Sequence, residues 1–272
     1  MILDWIFYHD TMYKFSTRHW HAKSPDPTAP TETNVVSKAA FSPMRQIVRS
    51  FTLCLPNSHS PPAQILPSTG CSLELLDLLH QTISVVYDRT DPRHLSPSHL
   101  STLRTLDYRI KNITQVHRVE SLSSPSSSPS PSSSPGYLPA LLYRHAVHIY
   151  LLRIAQGLPL SNPAVCSLID SAFEALSLMP YCERPWPLFV VALEARTEDE
   201  RRLVLDKIQA GIKAKPFGNM VVAREMVTKA WVQRDFALDA SGSGEKKGGG
   251  EGDMLGVYNA AVKGWGGLPS FS

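Results

Sequence analysis

The sequence predicts an all-α protein, and three observations carry that prediction. Apolar residues recur at helical spacing in each well-patterned stretch. Strand-like alternation is nearly absent, and no fixed-period repeat marks a solenoid or propeller. Several apolar stripes also begin behind Ser-Pro, Asn-Pro or Thr-x-x-Glu start signals. The expected architecture is an irregular helical bundle or array with disordered Ser/Pro- and Gly-rich inserts.

Each element follows from its own pattern. The N-terminal stretch DWIFYHDTMYKFSTRHW places Trp5, Tyr8 and His9 within about one helical turn. Leu75, Leu76, Leu79, Ile83 and Val86 form the next stripe. Leu100, Leu103, Leu106, Ile110 and Ile113 follow Ser96-Pro97. Leu138–Leu152 and Val221–Trp231 add two more helical segments. After Asn162-Pro163, the residues Val165, Leu168, Ile169, Ala172, Phe173 and Leu176 share one face, with Asn162 as cap and Pro163 at the first position.

The stretch YCERPWPLFVVALEARTEDERR, Tyr181–Arg202, is the most distinctive. The residue before a proline is biased away from α geometry, which predicts a helix starting at Pro187 and leaving Trp186 outside. Pro187–Ala195 is apolar nearly all round, the signature of a helix central in a bundle, and it is about half a membrane span long. Thr197-Glu198-Asp199-Glu200 reads as a capping box, so a second helix begins at once with Leu203, Val204 and Ile208 inward. Glu194 sits at the joint, and a partly buried carboxylate needs a cation, for which Arg201 is the expected partner.

Three stretches break the helical pattern. Residues from about 22 to 44 are rich in Pro, Thr and Ser, and 121–136 (SLSSPSSSPSPSSSPG) is a Ser/Pro segment with nothing to bury. Residues 240–252 form a flexible charged Gly-rich insert. The expected organisation is a main unit over 1–239 containing the first two inserts, the insert at 240–252, and a C-terminal segment over 253–272.

Composition narrows the function. With 272 residues, 43% hydrophobic and 19% charged, the chain is an ordinary core-forming sequence, and its net charge of +3 is spread without like-charge blocks. A DNA-gripping surface concentrates far more Lys and Arg on one face, so DNA contact by this chain alone is not expected. The four cysteines, Cys54, Cys71, Cys166 and Cys182, form no CxxC pair and have no His at zinc-ligand spacing. MILDWIFYHD lacks the basic n-region and cleavage site of a signal peptide, and free thiols in an intracellular compartment follow. Asn112-Ile113-Thr114, a glycosylation sequon, carries no weight without such a signal.

Catalytic and cofactor templates fare poorly. G-x-S-x-G, HExxH and Walker A sequences do not occur. Gly242, Gly244 and Gly248 follow no strand, so they make no phosphate loop. His19/His21, the pair His145/His148, the couple His9/Asp10 and the carboxylates Glu194/Glu198 are the groups that could imitate a site. Each is better explained by core or cap roles, because no nucleophile or third ligand joins it. Catalytic, cofactor-binding and metal residues are therefore expected to be none.

Two motifs together resemble a known family. WIFYHDTMYKFSTRHW is similar to the W-x-x-YHD…F segment of the fungal-specific transcription factor domain, the regulatory region of fungal zinc-cluster (Zn2Cys6) factors. WPLFVVALEARTEDERRLVLDKI resembles that family's WPLF-x-x-x-x-EA-x-x-x-x-(D/E)-R signature. Between them CSLELLDLLHQTISVV and HAVHIYLLRIAQGLP resemble its CS-x-ELL-x-LI and A-x-x-IYL helices, and a tryptophan helix near Trp231 follows in order. The matches run from about Leu3 to Phe236. Leu193 stands where the family often has Cys, and Ala192 where Gly precedes it.

The resemblance implies an all-α regulatory domain that acts in the nucleus. Its partners would be the transcription machinery or a DNA-binding module, with a small-molecule effector as a further option. Members usually carry a six-cysteine zinc cluster and a basic linker before this domain; the cysteine spacing here excludes that cluster. The chain then corresponds to the C-terminal regulatory part of such a factor, as a fragment, a misplaced gene start or a finger-less relative. A helical scaffold protein without a link to DNA is the alternative, and an enzyme with a pocket between helices is a remote one.

Overall fold

The computed structural model describes residues 2–21, 63–116, 137–215, 218–241, 253–264 and 269–271. Nine helices are found among them, and no strand: only isolated backbone bridges, Gln64 with Val116 and Ile65 with Ser72. They are α1 (Ile2–Trp20), α2 (Leu73–Ser84), α3 (Pro97–Asn112), α4 (Tyr137–Tyr150), α5 (Pro163–Leu178), α6 (Pro185–Leu193), α7 (Glu198–Ala214), α8 (Gly218–Ser241) and α9 (Met254–Lys263). The all-α prediction holds. The inserts expected at 22–44 and 121–136 lie outside the described residues, as does nearly all of 240–252, with Cys54 and Gly242, Gly244 and Gly248.

The helix starts obey local chemistry. Ser96 caps α3 by accepting from the His99 amide, with Pro97 at the first helical position. Asn162 caps α5 through the Ala164 amide, followed by Pro163. Thr197 and Glu200 form the expected capping box: the Glu200 amide donates to Thr197 Oγ1 at 3.2 Å, and the Thr197 amide donates to Glu200 Oε2 at 3.0 Å.

The start of α6 differs from the sequence expectation. It begins at Pro185, two residues early, and Trp186 lies inside it. Both prolines fall in the first turn, where amides have no intrahelical acceptor, so neither removes a helix hydrogen bond. The α-region penalty on Trp186 is outweighed by burial, for its indole is fully covered and stacks on Tyr143 at 5.4 Å.

Every residue of α6 is buried. It packs against α4, α5, α7 and α8, while α4 also meets α2, α3 and α5. On one flank α1 lies on α2, and on the other α7 lies on α8; α9 touches both α1 and α8. The helix α9, with Asp253 as cap, has no counterpart in the sequence-level assignment, yet its Tyr258 is fully buried in the same core.

Where these elements meet, the contacts are aromatic. Phe15 of α1 has ring neighbours at Tyr150 (5.5 Å), Trp186 (5.7 Å), Phe189 (6.2 Å), Tyr258 (6.3 Å) and Phe271 (5.3 Å). Most of these pairs are edge-to-face, the geometry the ring quadrupole prefers. Fully burying a Val, Leu or Phe side chain stabilises by roughly 1.5–3 kcal/mol, so α6 and its shell hold a large share of the fold's stability.

Trp186→Ala is expected to lower the unfolding free energy by about 3–5 kcal/mol in a urea titration. Trp186→Phe should cost less, since it keeps a ring in place and removes an indole N–H that has no hydrogen-bond partner among the described residues.

Candidate functional site

The groups that imitate a site in the sequence are placed apart. His9 lies tilted against Trp5 with ring centroids 3.8 Å apart, whereas the adjacent Asp10 approaches His80 of α2 at 3.9 Å. The two therefore do not form a couple. Glu194 is buried, but Glu198 is 78% exposed and pairs with Arg201, so these carboxylates do not share a cavity. Among the described residues, no group of three or more His, Cys, Asp or Glu is placed to hold a metal ion.

His148 is tied to α3 rather than to His145. Its Nε2 lies 2.8 Å from Asp107 Oδ1, and Asp107 also accepts from Lys111 at 2.7 Å. Burial pushes the His148 ring down, against the opposing pull of Asp107. His145, likewise buried, is pushed down to about 4, chiefly by burial and then by the charge of Arg144. His19 is fully enclosed between α1, α4 and α9. Its Nδ1 lies 2.8 Å from the side-chain Oδ1 of Asn259, so it donates there, and Nε2 accepts from the Tyr150 hydroxyl at 2.8 Å. Burial pushes its pKa down to about 3.

The buried charges converge on the α6–α7 corner. Glu194 receives both of its oxygen contacts from Arg153 Nε, at 3.1 Å each, and not from Arg201. Arg201 instead holds Asp235 of α8 with two bonds of 2.7 Å and lies over the Trp231 ring. The physical reason is depth: Glu194 is 2% exposed, and only a cation rising from the core side reaches it. Arg153 does so from the wide π-helical turn Leu151–Ala155 at the end of α4, where it also donates to the Leu158 carbonyl at 2.6 Å. Burial pushes the Glu194 carboxyl up, while Arg153, Arg234 and Arg196 pull against it.

The end of α6 is finished by α8. Trp231 Nε1 donates to the Ala192 carbonyl at 2.9 Å, and Arg234 donates to the carbonyls of Leu193 (3.2 Å) and Ala195 (2.5 Å). The Leu193 carbonyl is one that a helix end cannot satisfy within itself, whereas the Ala192 carbonyl also accepts from the Ala195 amide at 3.2 Å. Arg196 leaves the corner outward to Asp170 and Glu200. The arrangement fixes the angle between two helices; its carboxylate is fully engaged and out of reach of solvent.

Thiol chemistry is also held down by position. Burial pushes Cys71 up to about 12 and Cys182 up to about 11, so both remain protonated at neutral pH and weakly nucleophilic.

A model of the fungal specific transcription factor domain matches residues 1–247 of the chain. The chain belongs to this family. It is 23% identical over 238 residues to the transcription factor iacI of Pestalotiopsis fici, an alignment covering 87% of this chain and 52% of the relative. The chain thus spans about half the length of the curated relative it matches. No solved structure matches it. Both family signatures fall on the helices that organise the core: WIFYHD on α1, and WPLF through EARTEDERR on α6, the corner and α7. The EA pair of the family signature corresponds to Glu194 and Ala195. Sequence reasoning missed Arg153 as the partner, because 41 positions and two helix junctions separate it from Glu194.

Two outcomes follow from this geometry. Arg153→Met or Glu194→Leu alone should each cost about 3–5 kcal/mol, because either leaves a buried charge uncompensated. The double variant should recover much of that loss in a denaturant-based cycle. For His19, a folded pKa of about 3 lies below the unfolded value of about 6.5. The unfolded state therefore binds the extra proton, and stability present above pH 6.5 falls as pH drops toward 3. The slope from this group approaches about 1.4 kcal/mol per pH unit, and His19→Gln should remove it from the pH dependence of the unfolding free energy.

Proposed function

We propose that this chain is the regulatory, non-DNA-binding part of a fungal zinc-cluster-type transcription factor and modulates RNA polymerase II transcription in the nucleus. The observation that carries this reading is the family match over residues 1–247, with a longer relative, 52% of which is aligned, that is itself a transcription factor. The domain's action would run through protein partners of the transcription machinery or a DNA-binding module, with a small-molecule effector as a further option.

Charge supports the division of labour. Many of the arginines of α7 and its corner are committed to local carboxylates: Arg196 to Asp170 and Glu200, Arg201 to Asp235, Arg202 to Asp199. A surface built this way has little free cation density to release counterions from a DNA backbone. Sequence recognition would then belong to a separate DNA-binding module, which this domain holds in check or activates.

Fusing the chain to a heterologous DNA-binding domain and measuring a reporter tests the reading. Reporter output is expected to differ from that of the DNA-binding domain alone under at least one nutrient condition. Unchanged output under every condition, together with stable partners in a pull-down, would instead mark a scaffold protein.

A further inference from the structure

We propose that the outer face of α3, continued by Arg144 of α4, is a docking surface for an acidic segment of a partner protein, one that carries an apolar anchor among its carboxylates. Pro97, Ser101, Arg104, Tyr108 and Lys111 recur at helical spacing along α3, opposite the buried stripe of Leu103, Leu106 and Ile110. All five are exposed, and no exposed position of α3 is an acid. Tyr108, at 70% exposure, stands between two cations placed four residues before and three after it, the spacings that make neighbours on a helix.

The pairing of α3 with α4 brings in the third cation. Asp107 meets His148, and Gln115 Nε2 donates to the Ala140 carbonyl, both at 2.8 Å, so the two helices run antiparallel. Lys111 lies one turn after Asp107 and Arg144 one turn before His148, which sets them level with each other. Both oppose a positive charge on the His148 ring, as cations close to it must. The carboxylate within this row is Asp107, already shared between Lys111 and His148. Arg104 and Arg144 form no ion pair among the described residues. Beyond Lys111, Arg144 borders a shallow hollow with Ile113 and Leu141, an apolar seat beside a cation.

The contrast with α7 shows what this charge pattern is suited to. There the outward charges alternate in sign and close on their neighbours, Arg201 on Glu198 and Arg202 on Asp199. On α3 the excess is of one sign and open to solvent, which steers an acidic partner and sets its orientation. Tyr and Arg are also the side chains that anchor interfaces, and this tyrosine is presented by a helix fixed through its Ser96 cap and its buried stripe. A nucleic-acid backbone fits the row less well, because specific grip takes contacts to roughly six to ten phosphates. This inference stands whether or not the domain regulates transcription.

The test titrates the full chain with a fluorescent peptide of Asp and Glu residues around a central Phe, followed by anisotropy. Saturable binding that weakens with added salt is expected, and none with the Asn/Gln counterpart of the peptide. Arg104→Glu should weaken binding about tenfold and Tyr108→Ala about fivefold or more. Arg202→Glu on α7 changes the net charge by the same amount and should leave binding within about twofold. All three side chains are exposed, and unchanged helicity shows that each variant is folded. No binding to the folded chain, binding indifferent to Arg104→Glu and Tyr108→Ala, or an equal loss with Arg202→Glu overturns the proposal. A single-stranded oligonucleotide that binds more tightly than the peptide also overturns it, marking the row as a nucleic-acid contact.

Discussion

Helix α6 is apolar on every side, and this constrains its neighbours more than any other feature of the chain. A helix with one apolar stripe can lie on a surface; one without a polar face has to be enclosed. Here α4, α5, α7 and α8 pack directly on it, and the rings of Phe15 and Tyr258 close the remaining approach around Phe189. Its short length sharpens the demand. Nine residues leave few internal hydrogen bonds, so both ends rely on partners from outside. At the start, prolines remove two of the amides that would need acceptors. At the end, Trp231 and Arg234 of α8 supply the donors.

The buried ion pair serves the same enclosure. Arg153 and Glu194 are almost wholly removed from water, a state in which desolvation opposes much of the Coulomb gain. A pair in that position contributes less as net stability than as a constraint, since any other corner geometry strands one of the two charges. The π-helical turn that presents Arg153 fits this role: a widened turn re-aims one side chain without ending the helix. The same economy governs His19, whose two ring nitrogens join α1, α4 and α9 in a neutral network.

What the sequence made legible follows the range of each interaction. Caps at Ser96, Asn162 and Thr197 act within three residues, and each was readable. So were the apolar stripes of α2, α3 and α5, which repeat within a turn. The start of α6 was misplaced because a local steric preference at Trp186 yields to tertiary burial. The partner of Glu194 was misassigned to nearby Arg201, while the true partner comes from another helix. For the candidate site groups, the sequence could show that His148 lacked a close ligand set, but not that Asp107 of α3 would face it. The helix α9 escaped assignment because its weak pattern becomes meaningful only against the core to which α1 contributes.

If α6 is the element on which both flanks depend, the flanks cannot unfold separately. Equilibrium urea unfolding of two single-tryptophan variants tests this directly, one retaining Trp20 at the end of α1 and the other Trp231 on α8. The account predicts, within each variant, one midpoint shared by its tryptophan fluorescence and its loss of helicity. Two resolved midpoints within one variant, with either flank persisting after the other has melted, would contradict it.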